Sequence, residues 1–375
     1  MVEFGQFTLC IAWLLALAVV IGGALVGSGS RATPGLIESL RRGTMLIAVT
    51  LGLALVSLGY LFVTNDYTVQ YVWQYSNRDM PWIYKITAIW GGMDGSMLLW
   101  CFLVAAFSAC VALRSVVYPR AIVAWLYSFL SSSTLFFTSI TLFLTNPFRY
   151  LKSPVAMPDG NGLNPLLQNE YMAIHPPTLY LGFTGLAVPY AFCMAALASG
   201  ELSNDWIRLT RRWTLIGWTF LTAGIVLGGH WAYLELGWGG FWAWDPVENA
   251  SFLPWLTATA FLHSVMVQER KGMLKGWNVF LIVLTYSLTV FGTFLTRSGI
   301  VQSVHAFAST DIGWTFLAYL SAIVLVALGL SIYRGQELKP ERAIESFFSR
   351  EAVFLLNNLV LLSICFAVLW GVMFP

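Results

Sequence analysis

Ten stretches of the chain are apolar over about twenty residues each, and short polar segments separate them. They run 7–27, 43–64, 88–113, 122–144, 174–198, 214–233, 251–268, 277–295, 312–333 and 353–374. A hydrocarbon core of about 30 Å takes roughly 20 helical residues to cross, and backbone in lipid must satisfy its own hydrogen bonds. Each stretch therefore predicts a membrane-spanning helix. The expected fold class is an all-α integral membrane protein, a single polytopic domain over 1–375. Residues 7–27 read as a retained span, because MVEFGQFTLC carries no basic region ahead of it. Pro254 falls inside the seventh span and should bend it. Residues 145–173 collect proline, glycine and asparagine and predict an irregular loop rather than a strand pair. The segment ELKPERAIESFFSR (337–350) reads as a solvated linker, with a short interfacial helix as the alternative. The last apolar stretch runs to Phe374-Pro375, which leaves open that the chain is one part of a larger unit.

Composition supports the pattern and adds an orientation. Hydrophobic residues make up 58% and charged residues 10%, with a mean hydropathy of +0.72; a soluble protein carries roughly a quarter charged residues. No basic stretch suits nucleic acid, so the expected surroundings are lipid. With the N-terminus outside, the inner connections 28–42, 114–121, 199–213, 269–276 and 334–352 hold fifteen of the twenty basic residues. The outer ones hold five: Arg78, Lys85, Arg149, Lys152 and Arg297. That asymmetry predicts an N-terminus outside. The five cysteines lie in apolar stretches without a C-x-x-C pair, which fits buried packing and argues against thiol-disulfide chemistry by this chain.

One outer segment stands apart. WAYLELGWGGFWAWDPVENASFLPW (231–255) holds eight aromatic residues, including Trp238, Trp242 and Trp244, with Gly237, Gly239 and Gly240 among them. Flat rings beside bare backbone suit a flat ligand. Asp245-Pro246-Val247-Glu248 reads as a helix start, with Asp at the N-cap, Pro at the first position and Glu at the third; acid–base chemistry is the rival reading. His175, followed by Pro176 and Pro177, reads as an imidazole at the outer start of the fifth span. His305 lies in TRSGIVQSVHAFASTD, on the same predicted side. Two imidazoles and an aromatic wall on one face is the composition of a bis-histidine haem site. Arg297 suits a haem propionate, or equally an interfacial anchor. His263 lies deep in the seventh span, where a polar ring serves either a buried hydrogen bond or haem ligation. No other histidine is expected at that depth, so a bis-histidine site there would take its second ligand from outside this chain. His230, beside Gly228-Gly229 at the outer end of the sixth span, reads as an interfacial residue, with a haem ligand or a hydrogen-bond donor as alternatives, and Asp94, among Gly91, Gly92 and Gly95, is expected in a polar vestibule or capping a broken helix.

WGGFWAWDPVENASFLPW resembles the tryptophan-rich WWD signature of the haem-handling proteins of cytochrome c maturation, and the chain is similar to the N-terminal part of the CcmF-type haem lyase subunits. VTNDYTVQYV (63–72), FLTNPF (143–148), GNGLNPLLQNEYMAIHPPTLYLG (160–182), GIVLGGHWAYLELGWGG (224–240) and GTFLTRSGIVQSVHAFAS (292–309) extend the likeness. The resemblance implies a subunit in a bacterial inner membrane with its haem site facing the periplasm. It implies haem b as cofactor, taken from a haem chaperone and positioned for thioether attachment to the CxxCH cysteines of apocytochrome c. His175 and His305 match the histidines that hold the incoming haem, and His263 one that ligates a resident b-type haem. Implied partners are the chaperone, apocytochrome c, a thiol-reducing apocytochrome-binding subunit and the C-terminal half of the family, which holds the second membrane histidine.

Phe241 and Ala243 replace aromatics of the common signature WGGWWFWD, and Met93-Asp94 replaces a polar or histidine residue followed by Glu. Full-size members of the family run well beyond residue 375, so the resemblance implies either a divided-gene subunit or a shortened form. Three rivals remain: haem delivery without ligation, a secondary transporter for another ligand, and an assembly scaffold.

Overall fold

The computed structural model describes residues 1–29, 33–237, 239–298, 312–340, 346 and 349–374. Twelve α-helices occur among them: α1 (Val2–Ser28), α2 (Pro34–Val63), α3 (Gln70–Tyr75), α4 (Trp82–Thr87), α5 (Met93–Arg114), α6 (Arg120–Phe143), α7 (Glu170–Ser199), α8 (Asp205–Glu235), α9 (Pro246–Lys271), α10 (Lys275–Arg297), α11 (Gly313–Tyr333) and α12 (Arg350–Met373). All but α3 and α4 are long and apolar enough to cross a membrane, and these ten coincide with the ten apolar stretches. A lone bridge between Val69 and Tyr150 is the only β-pairing among the described residues, so 145–169 is irregular as expected. Half of the linker 337–350 lies outside the described residues.

The chain divides into two compact units. The first comprises Met1–Val117, Tyr127–Tyr180 and Val226–Phe241. Here α1 packs on α2 and α2 on α5. Polar side chains tie the apolar surfaces together: Trp13 Nε1 donates to Ser139 Oγ at 2.8 Å and Ser128 Oγ to the Val20 carbonyl at 2.8 Å. In an apolar surround such bonds replace water that is absent.

The third apolar stretch does not run unbroken. A 3-10 turn, Ala88–Trp90, precedes α5, and the buried Tyr71 hydroxyl fills the break. It donates to the Ile89 carbonyl at 3.0 Å and accepts from Gly92 N at 3.0 Å. Burial holds the Tyr71 phenol well above its ordinary pKa. Glycine is required here by space: a Cβ on Gly95 would lie 2.0 Å from the Ile89 oxygen, and one on Gly92 2.4 Å from Tyr75 Cζ. Asp94 sits half-buried in the first turn of α5, where the helix dipole favours a carboxylate. The N-cap position itself is held by Gly92 rather than by Asp94.

The second unit comprises Tyr118–Leu126, Leu181–Ile225 and Trp242–Pro375. In it α9 packs against α10 and α12, and α10 against α11. Pro254 lies within α9 and has no N–H for the Ala250 carbonyl; that oxygen faces bare backbone at Gly292, where a Cβ would come within 2.8 Å. Gln268 Oε1 accepts from Asn278 Nδ2 at 2.7 Å, and Thr285 Oγ1 donates to Thr257 Oγ1 at 2.9 Å. Outward residues of α11 and α12, such as Leu325, Ile332, Leu356 and Phe366, are exposed, as faces suited to hydrocarbon.

Candidate functional site

The Trp-rich segment spans the end of α8, a loop and the start of α9. Its aromatics do different jobs. Trp231 is buried and donates through Nε1 to the Leu166 carbonyl at 3.1 Å, so it anchors α8. Tyr233 and Phe241 are exposed and stacked, with centroids 4.5 Å apart and planes 15° apart. Gly237 and Gly239 have φ of +67° and +70°, a region that favours glycine. A Cβ on either, or on Gly240, would meet nothing within 4 Å. Open space over this backbone is what a flat ligand requires. Trp238 lies outside the described residues.

In the second unit, Trp242 and Trp244 stand edge to face at 6.1 Å, and both lean on Phe252, at 6.0 and 6.4 Å. Phe252 stacks on Trp255 at 5.7 Å, and Trp255 on Trp218 at 5.9 Å. Trp255 Nε1 donates to Thr222 Oγ1 at 2.8 Å and Trp218 Nε1 to Thr259 Oγ1 at 2.9 Å, satisfying both half-buried indoles.

Asp245 and Glu248 form the expected capping box, with Pro246 at the first helical position. Asp245 Oδ1 accepts from Val247 N at 2.9 Å. Glu248 Oε2 accepts from Asp245 N at 3.2 Å and also from Ala243 N at 3.0 Å. Trp244 has φ +58°, uncommon for a bulky residue and costing about 1–2 kcal/mol. Asn249 Nδ2 donates to its carbonyl at 2.9 Å. The cap thus holds both the helix start and the loop in front of it. Sequence reading missed Asn249.

His175 is not at a helix start. α7 begins at Glu170, and Asn169 Oδ1 caps it by accepting from Tyr171 N at 2.8 Å. Pro176 and Pro177 therefore lie inside the helix. The Met172 carbonyl, which Pro176 cannot serve, accepts instead from Trp90 Nε1 at 3.4 Å. His175 is half-buried against α8: a Cβ on Gly228 would lie 2.5 Å from its Cε1. One turn earlier on α7, Tyr171 stacks on His230 at 4.2 Å and 12°. Phe241 meets that ring edge-on at 6.0 Å.

His230 is thus a half-buried residue packed between α7 and the loop after α8. Its Nδ1 is buried with no hydrogen-bond partner among the described residues, while Tyr171 Oη lies 3.5 Å from Nε2. Its signal in the sequence was the pair Gly228-Gly229, which permits close approach.

His263, half-buried on α9, has its Nδ1 2.7 Å from Asn357 Nδ2 on α12. Arg297 is a buried last residue of α10, a favourable end for a cation. His305 lies outside the described residues.

These residues fit haem. Haem brings its own nitrogens to the iron, so isolated imidazoles from the chain would suffice to hold it. His230 shows an orphaned buried nitrogen next to the His175 seat, and the loop backbone is open.

Fold and site together define a polytopic helical membrane protein with an aromatic loop and embedded imidazoles. Residues 90–302, more than half of the chain, match the family described as Cytochrome C assembly protein, and the chain belongs to that family. It is 41% identical to the cytochrome c-type biogenesis protein CcmF of Haemophilus influenzae, over all of this chain and 57% of the relative. It is 42% identical to CycK of Rhizobium meliloti, again over all of this chain and 55% of the relative. A solved structure of "Cytochrome c Heme Lyase CcmF" aligns with a TM-score of 0.81 and 29% identity, covering 100% of this chain and 56% of that one. The chain thus spans little more than half the length of these relatives.

Proposed function

We propose that the chain is the haem-binding membrane part of a cytochrome c haem lyase in a bacterial inner membrane, with its haem site facing the periplasm. It receives haem b from a haem chaperone and positions it for thioether attachment to the CxxCH cysteines of apocytochrome c. His175 and His305 would hold the haem iron, Trp238, Trp242 and Trp244 would pack against the ring, and Arg297 would pair with a propionate. When bound, haem supplies vinyl groups to which reduced thiols add. The chain's contribution is to orient and to exclude water, where positioning alone is worth several powers of ten in rate. A thiol-reducing subunit keeps the apocytochrome cysteines ready. His263 is one ligand of a resident b-type haem whose second ligand lies in the C-terminal half of the family, outside this chain.

The observation that carries this reading is the seat of His175, an imidazole laid on the bare backbone of Gly228, with His230 stacked two residues further along α8. Family membership and the name of the solved neighbour support it. The test is complementation. Cells lacking their own lyase receive this chain with the remaining half of a relative, and covalent haem on a reporter cytochrome is read by peroxidase staining. His175→Ala and His305→Ala should each abolish the signal. A full signal with either would contradict the reading.

A further inference from the structure

His263 and Asn357 bring together a membrane imidazole and a single amide on a neighbouring helix at 2.7 Å. The contact is fixed from both sides. α12 is held in rotation by the next residue, the buried Asn358. With its amide turned to satisfy both neighbours, Asn358 donates to the Ala260 carbonyl at 3.0 Å and accepts from Trp277 Nε1 at 3.2 Å. Ala260 lies one turn before His263 on α9, so the asparagine pair pins α12 to that turn. Lys271 and Glu351 pair at 2.5 Å between the same two helices.

The amide has two orientations with different chemical consequences. With Nδ2 toward the ring, it donates to an unprotonated Nδ1, and the imidazole proton sits on Nε2. That tautomer has no Nε2 lone pair for iron. Turned by half a rotation, the amide presents Oδ1 to the same nitrogen, accepts from Nδ1–H and leaves Nε2 as the donor atom. We propose that Asn357 is the positioning residue of the resident-haem site, its amide turning to accept from Nδ1–H and select the ligating tautomer of His263.

This inference rests on the reading of His263 as a haem ligand. An acceptor behind an axial imidazole strengthens it as a donor and favours the oxidised iron. Loss of such a partner typically weakens metal binding roughly 10–100-fold. If that loss falls on the ferric state, the midpoint potential rises by about 60–120 mV, at 59 mV per tenfold for one electron.

The experiment measures resident-haem occupancy and midpoint potential in the assembly isolated with its native partners from membranes. Asn357→Leu should lower occupancy and raise the potential. Asn357→Asp, which keeps acceptor oxygens in place, should retain haem at a lower potential than the parent. His263→Ala should remove the haem. Wild-type occupancy and potential in Asn357→Leu, with haem lost in His263→Ala, would overturn the role of Asn357 and leave the haem reading intact. Resident haem surviving in His263→Ala would overturn both. Should Asn357→Leu lose haem altogether, Asn357→Asp decides: a lowered potential supports the inference and an unchanged one refutes it.

Discussion

Replacing Gly228 with alanine sets a methyl carbon 2.5 Å from Cε1 of His175, and 2.9 and 3.0 Å from its Nδ1 and Nε2. Carbon atoms rest at about 3.5–4.0 Å, so the ring must retreat by roughly 1 Å. Its obstacle is a side chain, and a rotamer displaced by about 30° costs of order 0.5–1.5 kcal/mol. Alanine regains about 0.8–1.0 kcal/mol of helix propensity over glycine. The two terms nearly cancel, so folding stability should change by less than about 1 kcal/mol. Function should not be spared, because a displacement near 1 Å can cost about 100-fold where geometry governs rate. The assay pairs thermal unfolding in detergent with covalent haem on a reporter cytochrome. A nearly unchanged melting point with haem attachment reduced roughly 10–100-fold is the expected result. Unchanged attachment would refute the claim that the His175 seat matters. Added to His175→Ala, the same change should have no further effect.

Three further outcomes follow from local geometry. Glu248→Ala removes the acceptor for Ala243 N and Asp245 N and should cost about 1–2 kcal/mol, while making the loop at Trp244 susceptible to limited proteolysis; Glu248→Gln should recover most of the loss. Gly95→Ala drives a methyl onto the Ile89 oxygen, a backbone atom that cannot swing aside. It should destabilise by about 1–3 kcal/mol or more, seen as reduced yield and an earlier thermal transition. Burial raises the Tyr67 phenol to about 12, against about 10 when unfolded. The folded state therefore keeps a proton that the unfolded state releases. Stability from this group is complete below pH 10 and declines as pH rises from about 10 to 12, a loss that Tyr67→Phe should abolish in alkaline melts.

The ten spans were legible because a membrane imposes one simple requirement, about twenty apolar residues per crossing, and each stretch met it. The capping box was legible because Asp245, Pro246 and Glu248 have a fixed spacing. The start of α7 was not. Pro176 and Pro177 looked like first-turn residues, but the carbonyl that Pro176 leaves open finds the indole of Trp90, far away in sequence. Asn357 and Asn358 escaped notice for the same reason: a polar pair in an apolar span has no local signature, and its partners lie on α9 and α10. His230 showed only a neighbouring glycine pair, whereas its stacking on Tyr171 depends on how α7 meets α8. Local periodicity is readable from sequence; pairings across helices are not.

The most direct measurement of the central claim is the optical spectrum of the chain, purified from membranes with and without its partner half. The account predicts a bis-histidine haem signal that falls when His175 or His305 becomes alanine, and a separate b-type signal that depends on His263 and appears only with the partner half. No haem in either preparation would contradict it. So would a stoichiometric b-type haem in the isolated chain that survives every change at His175, His230 and His305.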